Sequence, residues 1–301
     1  MMAANSRAVR PVMRAFSAVL LAFSLAGTAA DFPAISDPPT GRQHHGKLVW
    51  VDLVTADIVD AQRFYGALFG WSFTRLGDGP GAYTLVYKDD VPIAGMAQRT
   101  PQSGQKRAAR WIAYMSVPDV KTAAQSVVDQ GGQLLIAPRD MPARGEMALV
   151  ADPDGALIGL LDSSSGDPDD FLPSEGDWIW AIYQSPDATS AAAFYQKLGG
   201  YEVVPQGLLG QAPHFFLQTD GYARASIAEI PAERSGLQPD WVYFVRVKSV
   251  VDSLARVRDL GGRILVEPRP ELLDGRLAVI IDPAGAPLGV MEWTEVDGEE
   301  Q

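Results

Sequence analysis

The sequence predicts an α+β protein of two tandem domains, each made of two paired β-α-β-β-β modules that enclose a cleft. Three observations carry that prediction. Residues 148–162, ALVADPDGALIGLLD, are written again at 278–292 as AVIIDPAGAPLGVME, and the same register of 130 to 131 positions relates many other stretches, which marks an internal duplication. Within each copy, a β-branched or aromatic stretch followed by an amphipathic helical stretch and three more short strands occurs twice. The 29 glycines and 22 prolines suit short strands joined by tight turns rather than long helices.

Taken in order, residues 1–30 read as a secretory signal. Arg7, Arg10 and Arg14 precede the apolar run AFSAVLLAFSLA and the small residues GTAA, with cleavage expected after Ala29 or Ala30. The apolar run is too short for a strong membrane span, so the expectation is export to a periplasm or the outer medium, with no stable span after cleavage. The chain has no Cys, which removes disulfides, thiolate chemistry and a Cys-linked lipid. Its formal charge is −12, more negative once the three arginines depart, and no dense basic run exists; nucleic acid is therefore an unsuitable partner. Oligomerisation is left open.

Residues 31–46 read as a leader in which His44-His45 lies in a solvated loop. The first domain is expected over 47–162. Residues 47–55 are a strand by composition. Asp57 opens a helix whose Ala61, Phe64, Tyr65 and Leu68 share one face, and Gly70 ends it. Strands follow at 72–76, 83–88 and 91–99, the last two joined by Asp89-Asp90. After a polar connector at 100–107, the second module starts with a strand at 109–117. Asp119 caps a helix over 120–130, Gly131-Gly132 stops it, and strands follow at 133–137, 147–151 and 156–162, with Asp152-Pro153-Asp154-Gly155 as the last turn. Residues 163–177 read as the linker, 178–294 as the second domain with a Ser249/Asp252 capping box, and 295–301 as an acidic tail.

The stretches WVDLVTADIVDAQRFYGALFGW, RWIAYMSVPDV and VADPDGALIGLLD resemble the glyoxalase, bleomycin-resistance and extradiol-dioxygenase superfamily, known as vicinal oxygen chelate, and in particular its tandem two-domain glyoxalase-like members. The resemblance implies a divalent metal in each cleft, held by residues from the first strand of each half and from the last strands. Carried over position by position, those places fall on Trp50, Trp111 and Gly159, with a fourth near Gly95-Met96-Ala97. In the second domain they fall on Trp180, Trp241 and Gly289, with Ser226-Ile227-Ala228 fourth. The well-placed positions offer no imidazole or carboxylate, and indole has no lone pair for a metal. No cofactor is expected, and the metal-dependent activities of the superfamily are disfavoured.

Two outcomes are open for the clefts. The indoles fill them, or they wall a pocket for a small organic molecule. The ligand-binding candidates are Trp50, Asp52, Trp111, Tyr83, Met96 and Gln98 in the first domain and Trp180, His214, Glu229, Trp241 and Tyr243 in the second. Asp52 is the sharpest of them, because a carboxylate beside an indole in an apolar cleft must find donors. Arg139 and Arg144, with Arg269 and Arg276 at or near matching positions, read first as a solvated rim and second as groups for anion recognition. The catalytic residues stay unknown. The rival readings are an enzyme, a lyase, isomerase or dioxygenase, with a relocated metal or acid–base site drawing on Asp52, Glu229, Glu292 or His214, and a non-catalytic module that docks a partner.

Overall fold

Sixteen strands and four helices form two copies of one architecture in the computed structural model, which describes residues 32–79, 82–99, 109–209, 212–234 and 237–293. The signal at 1–30, the connector at 100–107 and the tail at 295–301 lie outside the described residues. In the first copy the order is β1 (Leu48–Thr55), α1 (Ile58–Phe69), β2 (Ser72–Leu76), β3 (Tyr83–Lys88), β4 (Val91–Gln98), then β5 (Arg110–Ser116), α2 (Val120–Asp129), β6 (Gln133–Met141), β7 (Gly145–Ala151) and β8 (Leu157–Ser163). The second copy runs β9 (Trp178–Ser185), α3 (Ala188–Gly199), β10 (Glu202–Leu209), β11 (Ala212–Thr219), β12 (Tyr222–Glu229), β13 (Asp240–Arg246), α4 (Val250–Asp259), β14 (Arg263–Val266), β15 (Leu277–Ile281) and β16 (Pro287–Met291).

The local chemistry places these boundaries. The Asp57 side chain accepts from Asp60 N and caps α1, while Gly70 ends it at φ 75°, a conformation glycine adopts without strain. Asp187 and Gly200 do the same for α3. Ser249 accepts from Asp252 N at the start of α4, which is one half of the anticipated box. Asp89 and Asp90 both sit at positive φ, the geometry of a two-residue hairpin turn between β3 and β4.

Each copy is a single eight-stranded sheet, in the order β2-β3-β4-β1-β5-β8-β7-β6 and its repeat β10-β11-β12-β9-β13-β16-β15-β14. The two modules of a copy join through antiparallel β1 and β5, or β9 and β13. One face of each sheet carries its helices, and those helices face the other domain: α1 meets α4 and α2 meets α3. A continuous apolar core runs through this junction, from Phe64, Trp111 and Val127 of the first copy to Phe194, Trp241 and Val257 of the second. The opposite face of each sheet is the cleft.

The leader departs from the solvated segment expected of it. Phe32 and Ile35 are buried, and the chain is tied to the linker by Gly41 N to Ser165 O at 3.1 Å and Asp167 N to Arg42 O at 2.7 Å. His44 donates its backbone N–H to Asp167 at 2.7 Å. The linker is held in turn by Asp170, which pairs with Lys47 at 2.8 Å and Arg224 at 2.5 Å. Composition alone hid this, because the segment gains its order from backbone pairing with a distant stretch rather than from periodicity of its own.

Candidate functional site

The pairing register decides which residues reach each cleft. Directly opposed residues in an antiparallel pair share a face, and Trp50 opposes Tyr114 while Asp52 opposes Ile112. Tyr114 and Ile112 therefore line the first cleft. Trp111, with Ala113 and Met115, points the other way into the interdomain core, where its ring packs at 5.3 Å on Tyr65 and 5.1 Å on Trp178. This corrects the assignment of Trp111 to the cleft, and the same parity corrects Trp241 and Tyr243, whose rings stack on that buried side. The Tyr243 hydroxyl accepts from Ala113 N at 3.0 Å. Met96 and Gln98 oppose Leu53 and Thr55 and so lie on the helix face, Met96 in the core and Gln98 exposed on Ala56 O. Glu229 alternates with the cleft-facing Ala228 and joins that same side.

What does converge in the first cleft is a polar cluster in an apolar frame. The Trp50 indole donates to Asp52 Oδ1 at 2.8 Å and contacts the Tyr83 hydroxyl at 3.0 Å, and the Tyr83 hydroxyl also donates to Asp52 Oδ1. Asp52 is 4% exposed, so these donors supply what water would otherwise give its carboxylate. Burial, and next the negative charge of Asp52, push the phenols of Tyr83 and Tyr114 well above their usual range, so both stay protonated donors.

Arg144 completes the cluster and is no solvated rim: it is 1% exposed. The β6–β7 connection delivers it, with Ala143 at φ 62° and Gly145 at φ 114°. A Cβ on Gly145 would lie 2.0 Å from Asp162 O. The Arg144 guanidinium lies 4.4 Å from the Trp50 ring centre and 5.3 Å from that of Phe32, a cation–π arrangement. Its Nε donates to Pro33 O at 3.3 Å, and its Nη2 is buried without a hydrogen-bond partner. Beside it a pocket opens to solvent, walled by Ile112, Tyr114, Ile136, Met147 and Leu149, by Phe32 of the leader, and by the charged Asp52 and Arg139.

The second cleft repeats the frame without the polar cluster. Ile182 stands where Asp52 does, Val242 for Ile112 and Phe244 for Tyr114. His214 takes the place of Tyr83, against Phe216 at 5.2 Å. Trp180 donates instead to Ser226 Oγ at 3.0 Å. Leu277, Val279 and Met291 fill the interior, and Arg276, the expected counterpart of Arg144, is partly exposed.

Neither cleft suits a divalent metal. Gly159 and Gly289 face the clefts at the last-strand positions, and a Cβ there would lie 2.1 Å from the Tyr114 or Phe244 ring. An aromatic ring thus occupies the space that a carboxylate ligand would need. Asp52 has no second donor residue beside it, Glu229 lies on the far face, and Glu292 caps α4 through Val250 N at 2.6 Å. Among the described residues, no group of three or more His, Asp or Glu side chains is placed to hold a metal ion.

Residues 47–160 match the model of the Glyoxalase/Bleomycin resistance protein/Dioxygenase superfamily. The chain is 26% identical over 257 residues to CFP32 of Mycobacterium tuberculosis, which bears a provisional glyoxylase name, covering 85% of this chain and 98% of that one. It is 26% identical over 262 residues to the anthracycline biosynthesis protein DauV of Streptomyces sp. strain C5, covering 83% and 94%. The Mn(II)-bound glyoxalase of Novosphingobium aromaticivorans superposes with a TM-score of 0.54 at 15% identity, covering 82% of each chain, a likeness of fold. The protein has the fold of the glyoxalases and extradiol dioxygenases, in two tandem copies. It lacks the superfamily's cluster of metal ligands among the described residues.

Sequence reading found Trp50, Asp52 and Tyr83 but passed over Tyr114, Phe32 and the burial of Arg144. Aligning the two copies would have exposed the first of these, since Asp52, Tyr83 and Tyr114 all become different residues in the repeat.

Proposed function

We propose that the first domain binds a small organic molecule in its aromatic-walled cleft without a metal, while the second domain's cleft is filled by its own side chains. The observation that carries this reading is the contrast between the copies: one backbone frame, with a pocket and a buried polar cluster in the first and apolar packing in the second. A concave, mostly apolar pocket with a few convergent polar groups is the usual form of a small-molecule site. The name of the Streptomyces relative adds polycyclic aromatic compounds to the candidates. Titration of the purified protein with planar aromatics of one to four rings, read by intrinsic fluorescence, tests it. Binding should saturate at one site per chain, and the Trp50→Phe variant should lose most of the signal change. Two equal sites, or none across the series, would overturn the reading.

Export to the periplasm or outer medium is proposed on the residue pattern at 1–30. No helix of the described residues is long and apolar enough to cross a membrane. N-terminal sequencing of the protein recovered from a bacterial culture should return a chain starting at Ala30 or Asp31.

A further inference from the structure

Arg144 carries a positive charge into the cleft wall at 1% exposure, and the groups around it do not satisfy it. Aromatic faces of Trp50 and Phe32 lie beneath and beside the guanidinium, and Pro33 O takes the Nε proton. Nη2 has no acceptor. Leaving a buried charged donor unmade is costly, whereas charge-assisted hydrogen bonds to carboxylates are among the strong ones. Asp52 takes the Trp50 and Tyr83 donors on Oδ1, and no hydrogen bond joins it to Arg144 Nη2. Nη2 is therefore a charged N–H without an acceptor, at the wall of a pocket lined by Ile112, Met147 and Leu149 together with the charged Asp52 and Arg139.

We propose that Arg144 is the specificity determinant of the first cleft and that the ligand is an aromatic carboxylate. Its carboxylate meets Nη2, and its flat body lies along the apolar wall. This inference rests on the reading of the cleft as a binding site and adds the chemical class of the occupant. The second domain, with Ile182 and Phe244 at the matching positions and the counterpart Arg276 partly exposed, does not take the same ligand.

Calorimetric titration of the whole purified protein with 2-naphthoate and with methyl 2-naphthoate at neutral pH separates the two claims. The acid should bind about 10- to 100-fold more tightly than the ester, the span expected of a hydrogen bond to a charged group. Arg144→Met should erase the preference for acid over ester, with Arg144→Lys between the two. Equal binding of acid and ester, binding of other aromatics without 2-naphthoate, or a preference that survives Arg144→Met would overturn the carboxylate assignment and leave the pocket standing. Failure of every aromatic to bind would overturn the pocket itself. The acid-to-ester ratio in the unaltered protein decides the matter even where an Arg144 variant does not fold.

Discussion

Tyr65 donates a hydrogen bond to Asp282 Oδ2 across the domain boundary at 3.0 Å, and Tyr195 returns one to Asp152 at 2.8 Å. Each tyrosine also receives an indole N–H, Tyr65 from Trp111 at 3.0 Å and Tyr195 from Trp241 at 2.9 Å. Each aspartate shapes the last hairpin turn of its own domain, accepting Ala156 N at 2.8 Å or Ala286 N at 2.7 Å. Two buried Trp–Tyr–Asp relays, related by the repeat, thus join the halves. Tyr65→Phe strands one indole donor and one carboxylate acceptor and should cost about 2–4 kcal/mol. Tyr195→Phe should cost the same. Urea unfolding measures both, and a wild-type midpoint for either variant would count against the relay.

Opposite pH trends follow from the buried titrating groups. Burial is the leading cause that raises the carboxyls of Asp152 and Asp282. Their contribution is therefore full below the ordinary carboxyl pKa and is lost as pH rises through the folded-state value. His214 is lowered from 6.5 to about 4 by burial. Its folded form refuses a proton that the unfolded chain accepts, so stability is lost as pH falls from about 6.5 through about 4. Thermal midpoints of the native protein and His214→Gln at pH 7 and pH 5 test this trend. The variant should lose less on acidification, and parallel losses would reject the assignment.

Gly159→Ala and Gly289→Ala should each destabilise by about 1–3 kcal/mol, the range for overpacking a filled interior. The new Cβ would displace the Tyr114 or Phe244 ring. Only the Gly159 change should also alter ligand binding in the first cleft. Near-UV circular dichroism would register the ring movement in both.

Elemental analysis of protein purified without an affinity tag should find no stoichiometric Mn, Fe, Ni or Zn, and dialysis against a chelator should leave the melting temperature in place. One tightly held metal per domain would contradict the donor geometry around Asp52.

Phe32→Ala should leave both sheets folded while opening the first cleft. Phe32 packs on Tyr83 at 4.8 Å and walls the pocket. The expected result is a red-shifted Trp50 emission and faster ligand association. An unchanged spectrum would mean that the leader does not shield Trp50.

Strand and helix positions were legible because local chemistry sets them. Asp57, Gly70 and the Asp89-Asp90 turn act within a few residues, and β2 and β3 fall at 72–76 and 83–88 as composition suggests. Strand parity was the harder matter. Choosing Trp111 rather than Ile112 as the cleft residue reverses every side chain of β5, and only the register against Asp52 distinguishes the two. Both faces of β5 are apolar, so hydrophobic alternation offers no cue. Tyr65 and Asp282 were visible as repeated residues, but their contact spans 217 positions and depends on how the domains dock.

The cross-domain relays make the duplication more than two copies of a fold on one chain. Docking of α1 on α4 and α2 on α3 joins two like surfaces, as in a symmetric dimer, yet the linker holds the partners at a fixed and high local concentration. Unfolding should therefore be independent of protein concentration, unlike that of a dissociating dimer. With assembly secured by the helix faces, the residues of the two clefts were left free to diverge, Asp52 and Tyr114 in one standing against Ile182 and Phe244 in the other.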